Sequence, residues 1–180
     1  MEKSARVNYP LIITLEIDAT DKAMFNALRK AHFPAHSNYL AAHLTLFHHL
    51  PSNENIIEET LHALSTRDQI ILEVNAVKSI GNGVIFTVAS EELQTLHQSM
   101  QQIFMPLLKR QDQQVLRPHI TIQNKVTEFK ATRLLEELQS TFEPFTIIAT
   151  GFSTWYYLGG PWRSAGFFPF SSNGSKKAET

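Results

Sequence analysis

Two short segments of this chain, His43-Leu44-Thr45-Leu46 and His119-Ile120-Thr121-Ile122, repeat one pattern: histidine, apolar, threonine, apolar. Side chains alternate faces along a β-strand, so His and Thr of each copy share one face. Leu44, Leu46, Ile120 and Ile122 then point the other way, into a core. Two such strands side by side would bring two imidazoles and two hydroxyls to one cavity. The reference pKa of histidine, about 6.5, lets one imidazole take a proton near neutral pH while the other gives one. Two hydroxyls beside them suit the oxygens of a phosphate. Composition alone would produce both hits, apolar neighbours included, with a chance of about one in a hundred.

The elements that must carry these residues can be read along the chain. Leu11–Ile17 is a strand, and Asp18 to Asp21 starts a helix over 21–32 with Met24, Leu28 and Ala31 on one face. Residues 39–48 carry the first motif as a strand, and Asn53 caps a helix over 54–66. A strand over 69–80 turns at Gly81-Asn82-Gly83, an Asn-Gly type I′ signal, into a strand over 84–89. Ser90 caps a helix from 91 to about 109, whose Leu93, Leu96, Met100, Ile103 and Leu107 form a buried stripe. The second motif lies in a strand over 117–124. A helix over 128–141, a strand over 144–158, a Gly159-Gly160-Pro161 turn and a strand over 162–170 follow. The small polar tail 171–180 reads as disordered.

The two halves correspond. Strand 11 answers to strand 84, helix 21 to helix 91, His43 to His119, helix 54 to helix 128, strand 69 to strand 144 and Gly81 to Gly159, at offsets of roughly 70–78 residues. This is a degenerate duplication of a β-α-β-α-β unit. A pseudo-two-fold axis would set the motif strands beside each other, with the functional cleft between the halves.

Composition narrows the options. The chain has 180 residues, 43% of them hydrophobic and 18% charged, which fits a single domain over 1–170. A net charge of −1 argues against a large nonspecific grip on nucleic acid and leaves room for a local patch on a short or terminal nucleotide. The absence of cysteine removes thiolate nucleophiles and Cys-ligated zinc and suits a cytoplasmic protein. No apolar signal region opens the sequence, and no apolar run is long enough to span a membrane.

At the paired motifs, the chain resembles the two-histidine (2H) phosphoesterase superfamily, and within it the bacterial 2′-5′ RNA ligase-like proteins. Two further stretches, Arg117-Pro118-His119-Ile120-Thr121-Ile122-Gln123-Asn124-Lys125 and Tyr157-Leu158-Gly159-Gly160-Pro161-Trp162, extend the likeness, which covers residues 10–170. It implies a bilobal α+β fold with two antiparallel sheets forming a central cleft and helices outside. It also implies chemistry on 2′,3′-cyclic phosphates or 2′-5′ phosphodiesters without metal or cofactor. His43 and His119 would be the acid–base pair, with Thr45 and Thr121 donating to the phosphate oxygens. The expected partner is an RNA end or small nucleotide, and the expected state a monomer.

Alternation extends the candidate list. Tyr39, Phe47 and Arg117 fall on the motif faces, and Lys125 lies just beyond the second motif. Arg117 would pair with phosphate or with a surface carboxylate; Tyr39 and Phe47 would stack on a base or pack against the cleft wall. Lys125 would add charge or remain a solvated loop residue. Trp155, Tyr157 and Trp162 read mainly as core and strand pairs. His32, His36, His62 and His97 fall on helices or loops without a partner motif. Two competing functions remain: a noncatalytic nucleotide- or RNA-binding module, and a metal hydrolase using His43, His49 and His119.

Overall fold

The computed structural model describes residues 8–172, so nearly all of the tail read as disordered lies outside them. The chain alternates strands and helices: β1 (Leu11–Ile17), α1 (Ala19–His32), β2 (Leu44–Leu50), α2 (Asn55–Ser65), β3 (Ile70–Ser79), β4 (Val84–Ala89), α3 (Glu91–Phe104), β5 (His119–Gln123), α4 (Glu128–Thr141), β6 (Phe145–Tyr157) and β7 (Trp162–Pro169). Local chemistry sets the helix starts. Asp18 accepts from the Thr20 N–H at 2.8 Å, Ser90 from Leu93 at 3.2 Å and Thr127 from Lys130 at 3.4 Å. Helix α2 begins without a side-chain cap, so Asn53 does not serve as expected. Helix α3 ends at Phe104, short of the expected 109, because Pro106 shifts the chain into a single 3-10 turn.

All strand pairs are antiparallel, in the order β2-β1-β6-β3-β4-β5, with β7 on the edge of β6 beside β3. The two sheets are wings of one hydrogen-bonded network. Long strand β6 joins them: Phe145–Ala149 pair with β3, while Ala149–Tyr156 pair with β1. The duplication places β3 against β6 on the pseudo-two-fold axis, where Leu72 faces Ile147. Strand β3 shows the inward alternation plainly: Ile70, Leu72 and Val74 are buried, while Ile71, Glu73 and Asn75 are exposed. Stripes from the helices complete the core, notably Leu93, Leu96, Met100 and Phe104 of α3. Among the described residues, no helix is long and apolar enough to cross a membrane.

The hairpin turns rest on glycine. Gly81 takes φ +51° and Gly159 φ +91°, a region that costs a residue with a Cβ. Gly81, not Asn82, adopts the positive φ, so the first turn is not the expected Asn-Gly type I′ turn. Gly83 is needed for another reason: a Cβ there would stand 2.1 Å from the Gln123 carbonyl oxygen.

Candidate active site

The motif strands β2 and β5 end the strand order, yet the sheet curls until they meet. Along both, the predicted faces hold. Leu44, Leu46, Ile120 and Ile122 are buried, while His43, Thr45, His119 and Thr121 are half-buried. His43 lies one residue before β2 rather than inside a strand from 39; His119 opens β5, and Arg117 lies two residues before it.

The imidazoles are held alike. His43 Nδ1 lies 2.7 Å from the Ala41 carbonyl oxygen and His119 Nδ1 lies 2.8 Å from that of Arg117, in both cases two residues back along the chain. A carbonyl only accepts, so Nδ1 carries the hydrogen in each ring. The opposite nitrogen, Nε2, has no hydrogen-bond partner among the described residues and is left for a substrate. One backbone device thus sets the tautomer of both rings, and the duplication reproduces it.

Electrostatics separate His43 further. Burial pushes its pKa from 6.5 down to about 4, against the bond to the Ala41 carbonyl; the positive charges of Arg29, Lys22 and His119 push the same way as burial. The His43 ring is therefore neutral at pH 7, with a lone pair on Nε2.

Two cavities adjoin the motif residues. One, of about 220 Å³, is lined by His43, Tyr39, Trp155 and Trp162, with Lys22 and Glu16 at its side. The Trp162 ring lies 4.8 Å from the His43 ring, centroid to centroid, and Trp155 fixes its own indole by donating to the Thr14 hydroxyl at 2.9 Å. Tyr39 is 52% exposed there, open to a ligand. The second cavity, of about 600 Å³, takes in Thr45, His119 and Arg117 and continues past Gln111, Gln114 and Val115. Arg117 makes no ion pair among the described residues, so the surface salt bridge considered for it is not formed.

Two candidate contacts fall elsewhere. Phe47 is fully buried, stacking on His97 at 4.7 Å and meeting Phe104 edge-on at 5.5 Å. Strand β2 bulges between Thr45 and Phe47, which both pair with adjacent residues of β1, Thr14 and Ile13. The extra residue turns Phe47 from the cleft face into the core. Lys125 lies six residues beyond His119, past the opposite end of a five-residue strand about 13 Å long. It adopts φ 58° at the far end of β5, where its neighbour Val126 bonds Asn82 of the β3–β4 turn at 3.3 Å. Neither residue reaches the cleft. The trio His43, His49 and His119 is not assembled either; no group of three His, Asp or Glu side chains among the described residues is placed to hold a metal ion.

Three residues that sequence reasoning passed over support the site. Arg29, 4% exposed, donates to the Thr121 carbonyl at 2.7 Å and to the Leu40 carbonyl and Asn38 Oδ1 at 3.1 Å each. Asp112, 4% exposed, accepts from the backbone N–H groups of His48 and His49 and from His48 Nδ1 at 2.9–3.0 Å. It thereby covers the free edge of β2 and pins the loop leading to His119. Burial raises its pKa, but the His48 side-chain bond, the two backbone donors and the His48 charge outweigh that and hold the carboxyl below its usual range. His97, read as an ordinary helix histidine, is 2% exposed and bonds the Leu46 carbonyl through Nε2 at 3.0 Å. A polar residue on a helix carries no mark of such a partner, although the four-residue spacing Leu93–His97 places His97 near the stripe.

Comparison with known proteins agrees with this architecture. No curated protein sequence matches the chain. Among solved structures, TT0787 of Thermus thermophilus is similar with a TM-score of 0.61 and 12% identity, over 91% of this chain and 99% of that one. Escherichia coli LigT complexed with 3′-AMP is similar with a TM-score of 0.56 and 16% identity, over 92% of this chain and 99% of that one. A protein described as a phosphoesterase gives a TM-score of 0.56 at 15% identity, over the same shares. At these identities the likeness is one of fold. The sequence itself matches the family model of the 2′-5′ RNA ligase superfamily over residues 17–161, which takes in both motifs, and the chain belongs to that superfamily.

Proposed function

We propose that this protein is a phosphoesterase acting on RNA ends or small nucleotides, at 2′,3′-cyclic phosphates or 2′-5′ phosphodiester linkages, by acid–base catalysis from His43 and His119. The observation that carries this reading is the matched anchoring of the two imidazoles on carbonyls two residues back, which leaves both Nε2 atoms for a substrate. Opening a cyclic phosphate needs a proton removed from the attacking water and another given to the departing ribose oxygen. His43, neutral at pH 7, suits the first task. His119 then supplies the proton. With a 5′-hydroxyl in place of water, the same pair opens the ring to a 2′-5′ bond. Thr45 and Thr121 donate to the non-bridging oxygens, where charge develops. Arg117 pairs with the phosphate from the rim of the larger cavity. Tyr39 and the tryptophans beside His43 offer a stacking surface for a base. A protein of this fold, LigT, has been crystallised with 3′-AMP, a ligand of the same class. We infer a monomer working in the cytoplasm.

The test is incubation with 2′,3′-cyclic mononucleotides and 2′-5′-linked dinucleotides in the presence of EDTA. Turnover that survives the chelator supports the reading. Binding without turnover by the folded protein would favour a noncatalytic nucleotide-binding module instead, and turnover abolished by EDTA would favour a metal hydrolase.

A further inference from the structure

We propose that Arg29 is a positioning residue that ties the approach to one motif onto the strand of the other and so sets the spacing of the two imidazoles. The proposal rests on the acid–base reading above. The guanidinium reaches both halves of the duplication. Nη1 donates to the Thr121 carbonyl, two residues past His119; Nη2 donates to the Leu40 carbonyl, three residues before His43, and to Asn38 Oδ1. Three residues earlier on α1, on the same helix face, Asn26 Oδ1 accepts from the Ala42 N–H at 2.6 Å. Helix α1 therefore grips the chain just ahead of His43 at two points and holds β5 by one of them.

Arg29 is built for this task and not for substrate. It is buried, its guanidinium carbon lies 4.4 Å from the Phe33 ring centroid, and it forms no ion pair among the described residues. A planar fork serves acceptors on two sides at once; an ammonium is a single point and does not. The unneutralised charge has a second consequence, because it acts on the His43 ring. The other charged or titratable groups near that ring are Glu16 of β1, Lys22 of α1 paired to it, Tyr39 on the segment leading to His43, and His119 of β5. Strands β6 and β7 contribute only the uncharged Trp155 and Trp162.

The experiment compares the full-length wild type with Arg29→Met, Arg29→Lys and Asn38→Ala, reading kcat, KM and the pH dependence of kcat/KM on a 2′,3′-cyclic mononucleotide. The His43 imidazole is titrated in parallel by NMR. Arg29→Met is expected to lower kcat about 10- to 100-fold with KM nearly unchanged, the scale of a small misplacement of reacting groups. It also moves the acid limb and the His43 midpoint up. Arg29→Lys keeps the charge, so kcat falls while limb and midpoint stay. Asn38→Ala removes one acceptor and gives a smaller fall in kcat, which keeps the idea testable if Arg29→Met does not fold. Wild-type kcat in folded Arg29→Met or Arg29→Lys, or losses that track only the folded fraction, would overturn the proposal. A wild type inert on these substrates whose His43 midpoint still moves on loss of the charge would remove the proposed reaction and leave the coupling of Arg29 to His43 standing.

Discussion

At the scale of single residues, the site is built on two rings whose protons are placed by the backbone. The Nδ1 bonds to the Ala41 and Arg117 carbonyls cost the protein no additional side chain, and so the pattern His-x-Thr is enough to specify each half. The hydroxyls are the more replaceable part. Thr45→Ala or Thr121→Ala is expected to lower kcat/KM by about 2–4 kcal/mol of transition-state stabilisation, on the scale of oxyanion donors, with Thr→Ser recovering most of it. An alanine variant with unchanged kcat/KM would place that hydroxyl away from the phosphate. Because burial, then Arg29, Lys22 and His119, hold the His43 ring near pKa 4, kcat/KM should show no loss as pH falls from 7 to about 5 and drop only below that. A decline beginning near pH 6.5 would mean that His43 is not the free-enzyme base.

At the scale of elements, what matters is how each motif strand is held at its ends. Asp112 covers the edge of β2 by accepting two consecutive backbone N–H groups. Asp112→Ala removes the protein acceptor of those donors and is expected to cost about 1–3 kcal/mol, read as a lower urea midpoint. A midpoint unchanged from wild type would show that water replaces the carboxylate freely. Sequence carried the motif faces well, because Leu44, Leu46, Ile120 and Ile122 alternate with the site residues and burial enforces the alternation. It failed at Phe47, where a bulge adds one residue and reverses the face. Period-two reasoning has no access to a bulge, which is set by the pairing strand. Arg29 and Asp112 were invisible for a related reason: they reach backbone groups 92 and 63–64 residues away, and a buried charge looks like a surface one until its partners are known. Lys125 was drawn in by adjacency along the chain, but a strand carries its two ends apart.

At the scale of the whole molecule, duplication explains both the fold and the cleft. Two β-α-β-α-β units joined along β3 and β6 leave the motif strands as the ends of one curled sheet, and the curl brings them together. The buried histidines tie this structure to pH. Burial lowers His43, and lowers His97 against the Leu46 carbonyl bond and the Asp112 charge. Unfolded, both rings bind protons near pH 6.5; folded, they bind them only at lower pH. Stability is therefore full above about 6.5 and is lost as pH falls toward 4. Asp112 adds a further loss below its unfolded pKa of about 3.8. Urea midpoints measured from pH 7.5 to 4.5 should decline across that window, and His97→Gln should flatten the slope; a flat wild-type series would contradict the burial of these rings. The most direct test of the central claim, that the two imidazoles work as one acid–base pair, is the single-turnover rate of His43→Ala, His119→Ala and the double variant on a 2′,3′-cyclic nucleotide. Each single change should cost at least about a hundredfold, and the double variant should be hardly slower than either, because removing one member already disables the pair. Folded single variants that keep the wild-type rate, or losses that simply multiply in the double variant, would contradict it.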